Sequence, residues 1–330
     1  MGIKSFLFTI FSFAIASLAM AKEPLKVYNN PVVNYSLPDP TIIRGENGGF
    51  YLYATEDIRN IPILYSKDLV NWEQKGTAFT DKSRPTFEPK GGLWAPDINK
   101  IGGKYVLYYS MSRWGGEWTC GIGVAVADHP EGPFVDKGML FRSNEIGVQN
   151  SIDPFYIEDS GKKYLFWGSF RGIYGIELSD DGLSVKSDAV KKQIAGTAYE
   201  GTYIYKKDGF YYLFASVGTC CEGVKSTYHT VVGRSTTLWG PYVDKHGDKM
   251  LENKHEILIH ANKSFVGTGH NAELVTDDSG CDWILYHGVS IENPHGRVLL
   301  LDKVSWLDGW PYVEHSSPSI KSESPFFVNK

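Results

Sequence analysis

Apolar and aromatic residues recur along this chain in short runs that are separated by polar turns. Runs of four to eight such residues, bounded by glycine, asparagine, aspartate or proline, are typical of β-strands. Long stretches with the 3.6-residue periodicity of an amphipathic helix are missing from the sequence. The pattern therefore predicts an all-β protein.

One of these strand-like runs occurs five times. Each copy is rich in aromatic and aliphatic residues and follows a polar turn; the copies are residues 50–55, 105–110, 164–169, 211–216 and 283–288. Upstream of each copy lies a short segment with one polar residue, and these residues are Asp39, Asp97, Asp153, Glu200 and His270. They recur 47 to 70 residues apart, and a third strand and a polar hairpin follow each copy.

A repeat of about this length with about four strands is typical of a propeller blade, so the sequence predicts a five-bladed β-propeller. The innermost strands of a propeller converge on its axis, which would gather the five polar residues at one mouth of the central channel. A β-sandwich with scattered acidic residues is the alternative. It does not explain why the acids recur at the same place in each repeat.

The first 21 residues have the composition of a secretory signal peptide. Lys4 supplies a positive charge, residues 6–20 are apolar, and residues 19–21 form a small-residue cleavage site. A membrane anchor is the alternative, but the apolar run is too short and no stop-transfer pattern follows. The sequence predicts cleavage before Lys22, export to the periplasm or the extracellular space without membrane attachment, and one propeller domain over residues 22–330.

Composition narrows the classes of partner. The formal net charge is −5, and charges of both signs are mixed along the chain without a basic stripe, which argues against a nucleic-acid partner. Aromatic residues make up 14% of the chain, a high share that suits β-strands and surfaces on which sugars stack.

Four cysteines are present, and their spacing is not that of metal ligands: Cys120, Cys220, Cys221 and Cys281. Export would permit disulfides, but adjacent cysteines pair awkwardly with each other. The adjacent pair is therefore interpreted as part of a shaped loop rather than as a redox centre.

Three carboxylates stand out by their repeat position: Asp39, Asp153 and Glu200. Both aspartates precede a proline, which cannot donate a ladder hydrogen bond and is expected to hold its predecessor extended at a strand start. A single Asp-Pro is common in turns, so only the repetition is informative. Glu200 lies between Tyr199 and Tyr203, an environment expected to raise a carboxyl pKa.

Three acids around one mouth indicate acid–base hydrolysis of a glycosidic bond. One ionised carboxylate would activate water, one carboxylic acid would protonate the leaving oxygen, and a third negative charge would raise the pKa of that acid. Calcium binding by these acids is the alternative, but it requires several oxygens in a compact loop, and these acids lie in distant repeats.

Other side chains are candidates for contact with a sugar or an ion. Trp94 is the main candidate for a sugar-stacking floor, and further candidates are Trp114, Trp118, Trp167 and Phe170, although most aromatic residues must belong to the core. His270 is either a structural residue or, from its repeat position, a ligand to a central ion. Arg297 either reaches the sugar pocket or is an ordinary surface charge.

Several motifs together make the chain resemble the family 43 glycoside hydrolases, and within them the endo-α-1,5-L-arabinanases. The motifs are residues 93–98 (LWAPDI), 150–154 (NSIDP), 168–170 (GSF), 220–228 (CCEGVKSTY), 232–235 (VGRS), 240–242 (GPY) and 309–311 (GWP). The resemblance covers nearly the whole mature chain. It implies a five-bladed propeller, an arabinan or arabino-oligosaccharide substrate and inversion at the anomeric carbon, with carboxyl groups about 6.5–9.5 Å apart. We expect a monomer.

The resemblance also implies roles for individual residues. Asp39 would be the general base, Glu200 the general acid, and Asp153 the residue that tunes and orients Glu200. The residues that would line the arabinose site are Gly115, Asn150, Ser151, Ile152, Asp153 and Ser169. His270 would hold a central ion, often calcium whose coordination is completed by water.

The chain departs from the family pattern in two places. Gly201 follows Glu200 where Ala-Pro is often found, and Arg171 stands where an aromatic residue is common, which would place a charge beside a leaving-group subsite. The aromatic-rich loop 113–119 would either deepen or close one end of a groove. Three alternatives stay open: an exo-acting arabinofuranosidase or β-xylosidase on the same fold, a non-catalytic sugar-binding propeller, and a calcium-stabilised structural propeller.

Overall fold

The predicted all-β class is confirmed by a computed structural model that describes residues 26–328. The predicted signal peptide, residues 1–21, lies outside the described residues. Within them the chain forms 23 strands, one four-residue helix, α1 (Ser143–Ile146), and three single turns of 3-10 helix. None of the helices in this part of the chain has the length and apolar character needed to cross a bilayer.

The strands are short and follow one another through polar turns. In chain order they are β1 (Val27–Asn29), β2 (Thr41–Arg44), β3 (Phe50–Tyr53), β4 (Pro62–Ser66), β5 (Trp72–Thr77), β6 (Gly92–Ile101), β7 (Lys104–Ser112), β8 (Gly121–Ala127), β9 (Val135–Arg142), β10 (Phe155–Asp159), β11 (Lys162–Trp167), β12 (Ile173–Glu177), β13 (Lys192–Ala195), β14 (Glu200–Lys207), β15 (Phe210–Val217), β16 (His229–Ser235), β17 (Glu256–Ile259), β18 (Phe265–Gly269), β19 (Val275–Thr276), β20 (Asp282–Ser290), β21 (Val298–Leu307), β22 (Trp310–Tyr312) and β23 (Lys321–Glu323). The 3-10 turns are Gly223–Lys225, Met250–Glu252 and Glu314–Ser316.

Each sequence repeat forms one antiparallel unit in which neighbouring strands pair in chain order. The first three units are separate four-stranded sheets, β2–β5, β6–β9 and β10–β13. The fourth unit (β14–β17) and the fifth (β18–β22) belong to one nine-stranded sheet, joined by a single parallel pair between His229 and Thr268. The repeated aromatic run is always the second long strand of its unit, β3, β7, β11, β15 or β20, and most of its residues are buried.

The hydrophobic cores lie between the sheets. Leu52 packs with Leu285 between the first and fifth units, and Tyr53 packs with Leu107 between the first and second. Similar clusters fill the spaces between the second and third units and between the third, fourth and fifth. A strand that is covered on both faces reads as a nearly continuous apolar run, and for this reason the repeat is visible in the sequence.

The first strands of the first four units are neighbours in chain order, the fourth unit contacts the fifth through β16 and β18, and the last unit contacts the first. Pairs of contacting strands are β2 with β6, β6 with β10, β10 with β14, and β16 with β18. The fifth unit contacts the first through Glu273, whose carboxylate accepts hydrogen bonds from the Thr41 hydroxyl and the Ile42 N–H. At the chain ends β1 pairs with β23. This arrangement brings four of the five predicted polar residues to one place, Asp39, Asp153, Glu200 and His270. The prediction is wrong for Asp97, which lies inside β6, where it is buried and accepts a hydrogen bond from the Tyr156 N–H.

Candidate active site

A cavity of about 460 Å³ lies where the first strands of the units begin. The three acids singled out by the sequence, Asp39, Asp153 and Glu200, all line it, and Arg297 joins them from the fifth unit. The other predicted residues on its wall are Trp94, Gly115, Asn150, Ile152, Ser169, Phe170 and His270. The structure therefore brings together residues that are up to 258 positions apart in the chain.

The backbone at the repeat-equivalent positions has an uncommon conformation. The residues concerned have positive φ angles: Asp39 (53°), Ala95 (39°), Asp153 (60°), Gly201 (61°) and His270 (48°). The extended conformation expected of Asp39 and Asp153 from their prolines is therefore wrong. Left-handed angles in residues other than glycine cost energy and cluster at functional sites, where the surrounding structure maintains them.

A second ring of polar side chains supports the first, and of its members only Ser169 was predicted from the sequence. The hydroxyl groups stand at the ends of the repeated aromatic runs and belong to Thr55, Ser110, Ser169 and Ser216. The Thr55 hydroxyl donates to Asp39 Oδ2 at 2.6 Å and the Ser169 hydroxyl to Glu200 Oε2 at 2.6 Å. The Ser110 and Ser216 hydroxyls accept hydrogen bonds from the backbone N–H groups of Asp153 and His270. Their common repeat position was the signal available in the sequence.

Asp39 is held in its ionised form by a buried cation. Burial alone raises the pKa of this carboxyl, but the guanidinium of Arg297, with Nη1 2.9 Å from Asp39 Oδ1, holds the pKa well below its usual range. The same carboxyl is only 8% exposed, so solvent screens this attraction little. Arg297 is thus not the ordinary surface charge that the sequence left as one possibility.

Two histidines lie beside Asp39. Burial lowers the pKa of His287 to about 4, so its imidazole is neutral near pH 7. Its Nδ1 accepts the backbone N–H of Asp39 at 3.1 Å, and the 3.3 Å approach of that nitrogen to Asp39 Oδ1 is therefore no ion pair. Burial likewise lowers the pKa of His270, whose Nδ1 is 3.3 Å from Asp39 Oδ1. His287 was not among the residues predicted from the sequence, and it lies within the fifth copy of the repeated run, residues 283–288.

Glu200 and Asp153 are electrostatically different from Asp39. Burial raises the pKa of Glu200, and the nearby charge of Asp39 adds to that shift, while the hydroxyl of Ser169 partly offsets it. Burial also raises the pKa of Asp153 well above its usual range, reinforced by the charges of Glu200 and Asp39. Because two buried carboxyls side by side resist losing both protons, the pair retains a proton at a pH where Asp39 is ionised.

Some predicted residues do not reach the cavity. Ser151 is fully buried, and its hydroxyl donates to Val148 O and accepts the indole N–H of Trp167. Trp167 is itself fully buried, so the interpretation of this residue as part of a sugar-stacking floor is wrong. Trp118 is half exposed but does not line the cavity. These residues support or surround the wall rather than forming it.

The loop 113–119 forms one side of the cavity. Trp114 is 82% exposed at the rim, with its ring centroid 6.4 Å from that of Trp94. Glu117 on this loop is 2.8 Å from the guanidinium of Arg171 and accepts a hydrogen bond from Gln149. The charge of Arg171 is therefore paired with Glu117, which itself lines the cavity. Cavity residues absent from the sequence prediction include Thr55, Asp57, Ser112, Cys220 and Cys221.

The residues around His270 indicate how a central ion could be held. Residues 26–328 contain no group of three or more His, Cys, Asp or Glu side chains that could hold a metal ion. Buried side-chain oxygens without a hydrogen-bond partner in this region nevertheless occur next to Gly201 and His270, on Thr202 and Asn271. Oxygen donors and water are the ligands that calcium prefers, so these residues fit an ion held largely through water.

Comparisons with known proteins place this geometry in a family. The profile of the glycosyl hydrolases family 43 matches residues 28–311. An extracellular exo-α-(1→5)-L-arabinofuranosidase of Cellvibrio japonicus is 36% identical over 305 residues, covering 84% of this chain and 86% of that protein. An extracellular endo-α-(1→5)-L-arabinanase of Bacillus subtilis is 34% identical over 293 residues, covering 84% and 88%. The structure of a Cellvibrio cellulosa α-L-arabinanase complexed with arabinohexaose is similar, with a TM-score of 0.77, 34% identity and coverage of 85% and 96%.

Proposed function

The chain belongs to the glycosyl hydrolases family 43, and on that premise we propose that it is an exported, endo-acting hydrolase that cleaves α-1,5-linked L-arabinan with inversion. The observation that carries this proposal is that two carboxyls line one cavity in contrasting surroundings: Asp39 is 2.9 Å from the Arg297 guanidinium, which lowers its pKa, whereas Glu200 is buried without a cation partner among residues 26–328, and burial raises its pKa. Carboxyls whose environments separate their pKa values are the pattern of a base and an acid. The activities named for the relatives support arabinan as the substrate.

The proposed reaction uses these two groups in one step. Asp39, ionised through Arg297, accepts a proton from a water molecule as that water attacks the anomeric carbon. Glu200, protonated because it is buried, donates its proton to the departing glycosidic oxygen on the opposite face. Attack and departure on opposite faces invert the anomeric centre, and proton exchange with solvent restores both carboxyls. Asp153, beside Glu200, keeps the acid protonated, and its Oδ2 accepts the Gly201 N–H at 3.3 Å.

We further propose that the five units form a five-bladed propeller within a single domain, residues 22–330. Two observations support the ring: consecutive units are in contact along the chain, and hydrogen bonds from Thr41 and Ile42 to Glu273 link the first unit to the fifth. The extracellular relatives support export to the periplasm or the outside of the cell. We propose that the leader is removed by cleavage before Lys22. We propose that the exported protein is a monomer.

We propose that His270 holds a central calcium ion through water. Replacing His270 by Ala is then expected to remove the ion, lower the melting temperature and reduce turnover. Elemental analysis of the purified protein, together with melting curves before and after treatment with a chelator, checks this. Absence of bound calcium in the wild type, with no response to the chelator, would refute the proposal.

Replacing Asp153 by Asn is expected to shift the alkaline limb of the activity profile downward by about one pH unit. The substitution removes a negative charge beside Glu200, so the pKa of Glu200 falls and its proton is lost at lower pH. The measurement is kcat/KM across pH 4–10, with Asp188→Asn as a control because Asp188 is exposed and does not line the cavity. An alkaline limb that stays in place would mean that Asp153 does not tune the acid.

Replacing Arg297 by Met is expected to move the acidic limb of kcat/KM upward by about 1–3 pH units. Without the guanidinium, burial raises the pKa of Asp39, so the base becomes protonated at a higher pH as the solution is acidified. Arg297→Lys keeps the positive charge and is expected to show a smaller shift. Met and Lys variants with the same acidic limb as the wild type would exclude Arg297 as the group that keeps Asp39 ionised.

The experiment that tests the proposed function is a time course on linear α-1,5-arabinan with the products separated by size. Early oligosaccharides of mixed length and a rapid loss of viscosity are expected of an endo-acting enzyme. Nuclear magnetic resonance of the first product is expected to show the inverted anomer. Arabinose alone would establish exo-action, a reading that the exo-acting relative supports. No product from arabinan would refute the substrate assignment, and xylan-derived substrates would then test the β-xylosidase alternative.

A further inference from the structure

Two adjacent cysteines form part of the cavity wall. Cys220 and Cys221 line the cavity that contains Glu200 and Arg297. Together with Arg297 they also line a second cavity, of about 210 Å³, that contains His287. The cysteine pair and Arg297 therefore separate the two cavities. The proposed hydrolysis assigns no role to either sulfur.

The two sulfur atoms are in immediate contact. Cys220 Sγ lies 2.7 Å from Cys221 Sγ. Formation of a bond between them, with a length of about 2.05 Å, requires a movement of less than about one ångström. The pairing that looked awkward from sequence adjacency alone is thus within reach of this loop.

The backbone of the loop keeps the sulfurs together. Cys221 has a φ of 65°, a left-handed conformation that a residue other than glycine adopts only where its surroundings impose it. Thr219 and Thr227 exchange backbone-to-hydroxyl hydrogen bonds of 3.0 and 3.2 Å, and the Ser226 hydroxyl donates to Thr219 O at 2.5 Å. These bonds close the loop at its base and hold the backbone in the conformation in which the two sulfurs lie side by side.

The other two cysteines are not available as partners. Cys120 is fully buried, with its sulfur 3.1 Å from the Ser143 hydroxyl. Cys281 lies in the fifth unit, where it packs against the core that includes Leu285. Neither lines either cavity. In an oxidising compartment, where disulfides form and persist, the sulfur nearest to Cys220 is that of Cys221.

We propose that Cys220 and Cys221 are joined by a disulfide bond in the mature protein, and that this bond fixes the cavity wall beside Arg297. Formation of the bond removes one proton and one electron from each thiol. The electrons pass to a disulfide of the export compartment, through a mixed disulfide, and that oxidant leaves as two thiols. The role of the bond in the cavity wall rests on the proposed function, whereas the existence of the bond does not.

The bond matters to the site because Arg297 has two possible anionic partners. In the reduced protein, a hydrogen bond from the Cys220 thiol lowers the pKa of Cys221, and the charge of Arg297 lowers it further. When Cys221 ionises in the reduced protein, its thiolate competes with Asp39 for the guanidinium. In the disulfide neither sulfur carries a charge, so the guanidinium of Arg297 remains paired with the carboxylate of Asp39.

Peptide mass analysis of the wild-type protein tests the bond without any assay of activity. The protein is exported under its own leader, purified without reductant, alkylated in denaturant and digested. We expect the peptide with Cys220 and Cys221 to be unalkylated and lighter by two hydrogen atoms than its reduced form, while Cys120 and Cys281 are alkylated. Alkylation of all four cysteines, or a link from the pair to Cys120, Cys281 or another chain, would overturn the proposal.

A second measurement tests the effect on the wall. Reduction of the native protein with a phosphine is expected to raise KM for arabinan by about fivefold, the equivalent of about 1 kcal/mol, and this rise is expected to grow with pH as Cys221 ionises. Cys281→Ser, a control outside the cavity, is expected to respond like the wild type, and the double variant Cys220→Ser with Cys221→Ser is expected not to respond. An oxidised pair with the same KM after reduction would overturn the role in the wall while leaving the proposed hydrolysis intact.

Discussion

Replacing Asp39 by Asn is expected to reduce kcat on arabinan by about 10²–10⁴-fold. The amide is nearly isosteric with the carboxylate and retains an acceptor for the Thr55 hydroxyl, but it has no ionised oxygen to accept a proton from water. Substrate binding is expected to change much less than kcat, because the sugar-facing wall is unaltered. Single-turnover kinetics and calorimetric titration with arabino-oligosaccharides measure the two effects separately.

The same substitution also leaves a buried cation without its partner. Arg297 is expected to destabilise the Asn variant by about 1–3 kcal/mol, because a charge that has lost its counter-ion still bears the cost of desolvation. The double variant Asp39→Asn with Arg297→Met is expected to recover stability and to remain inactive. Recovery of activity in the double variant would show that Asp39 acts through stability rather than as the base.

Replacing Glu200 by Gln is expected to cost about 10²–10⁴-fold in kcat on arabinan and much less on a substrate with a good leaving group. A nitrophenolate departs without protonation, whereas the alkoxide of an arabinose residue does not. The comparison uses arabinan and a nitrophenyl arabinoside or arabino-oligosaccharide that the wild type hydrolyses. Equal losses on the two substrates would contradict the role of Glu200 as the acid.

Misfolding or loss of stability is not expected to explain the lower kcat of the Glu200→Gln variant. In the proposed reaction this carboxyl starts protonated, so glutamine introduces no change of charge relative to that state, and its oxygen still accepts the Ser169 hydroxyl. The melting temperature is expected to stay close to that of the wild type. Retained binding of arabino-oligosaccharides without turnover would show that the variant keeps its binding site. Turnover at the wild-type rate would show that Glu200 is not the acid of the reaction.

The strand repeat is the part of the fold that the sequence predicted best. Each second strand is covered on both faces by the neighbouring units, so its residues must be apolar along the whole run. This requirement produces a pattern that is visible in a few consecutive residues of the sequence. The all-β class and the membership of family 43 were confirmed. The repeat position of Asp39, Asp153 and Glu200 also predicted that the three acids meet, because equivalent positions of equivalent units lie at the same end of their strands.

The backbone conformation at the acids was not predictable from their neighbours. Proline after Asp39 and Asp153 favours an extended predecessor, yet both aspartates are left-handed, as are Ala95 and His270 at equivalent positions. Contacts with residues distant in the chain override the local preference for an extended backbone before proline. The Asp39 N–H is bound by His287 and the Asp153 N–H by Ser110, and these contacts select the rarer conformation.

By itself, then, the sequence determined the strand repeat, the family and the set of acids, because burial and strand periodicity are read over a few neighbouring residues. The tertiary structure alone decided which acid is ionised, because the cation that lowers the pKa of Asp39 comes from Arg297, 258 residues away. The tertiary structure also decided that Ser151 and Trp167 are buried behind the cavity wall, whereas Cys220 and Cys221 line the cavity. Contacts between units depend on how the sheets pack and how the loops fold over them, and no local pattern encodes either.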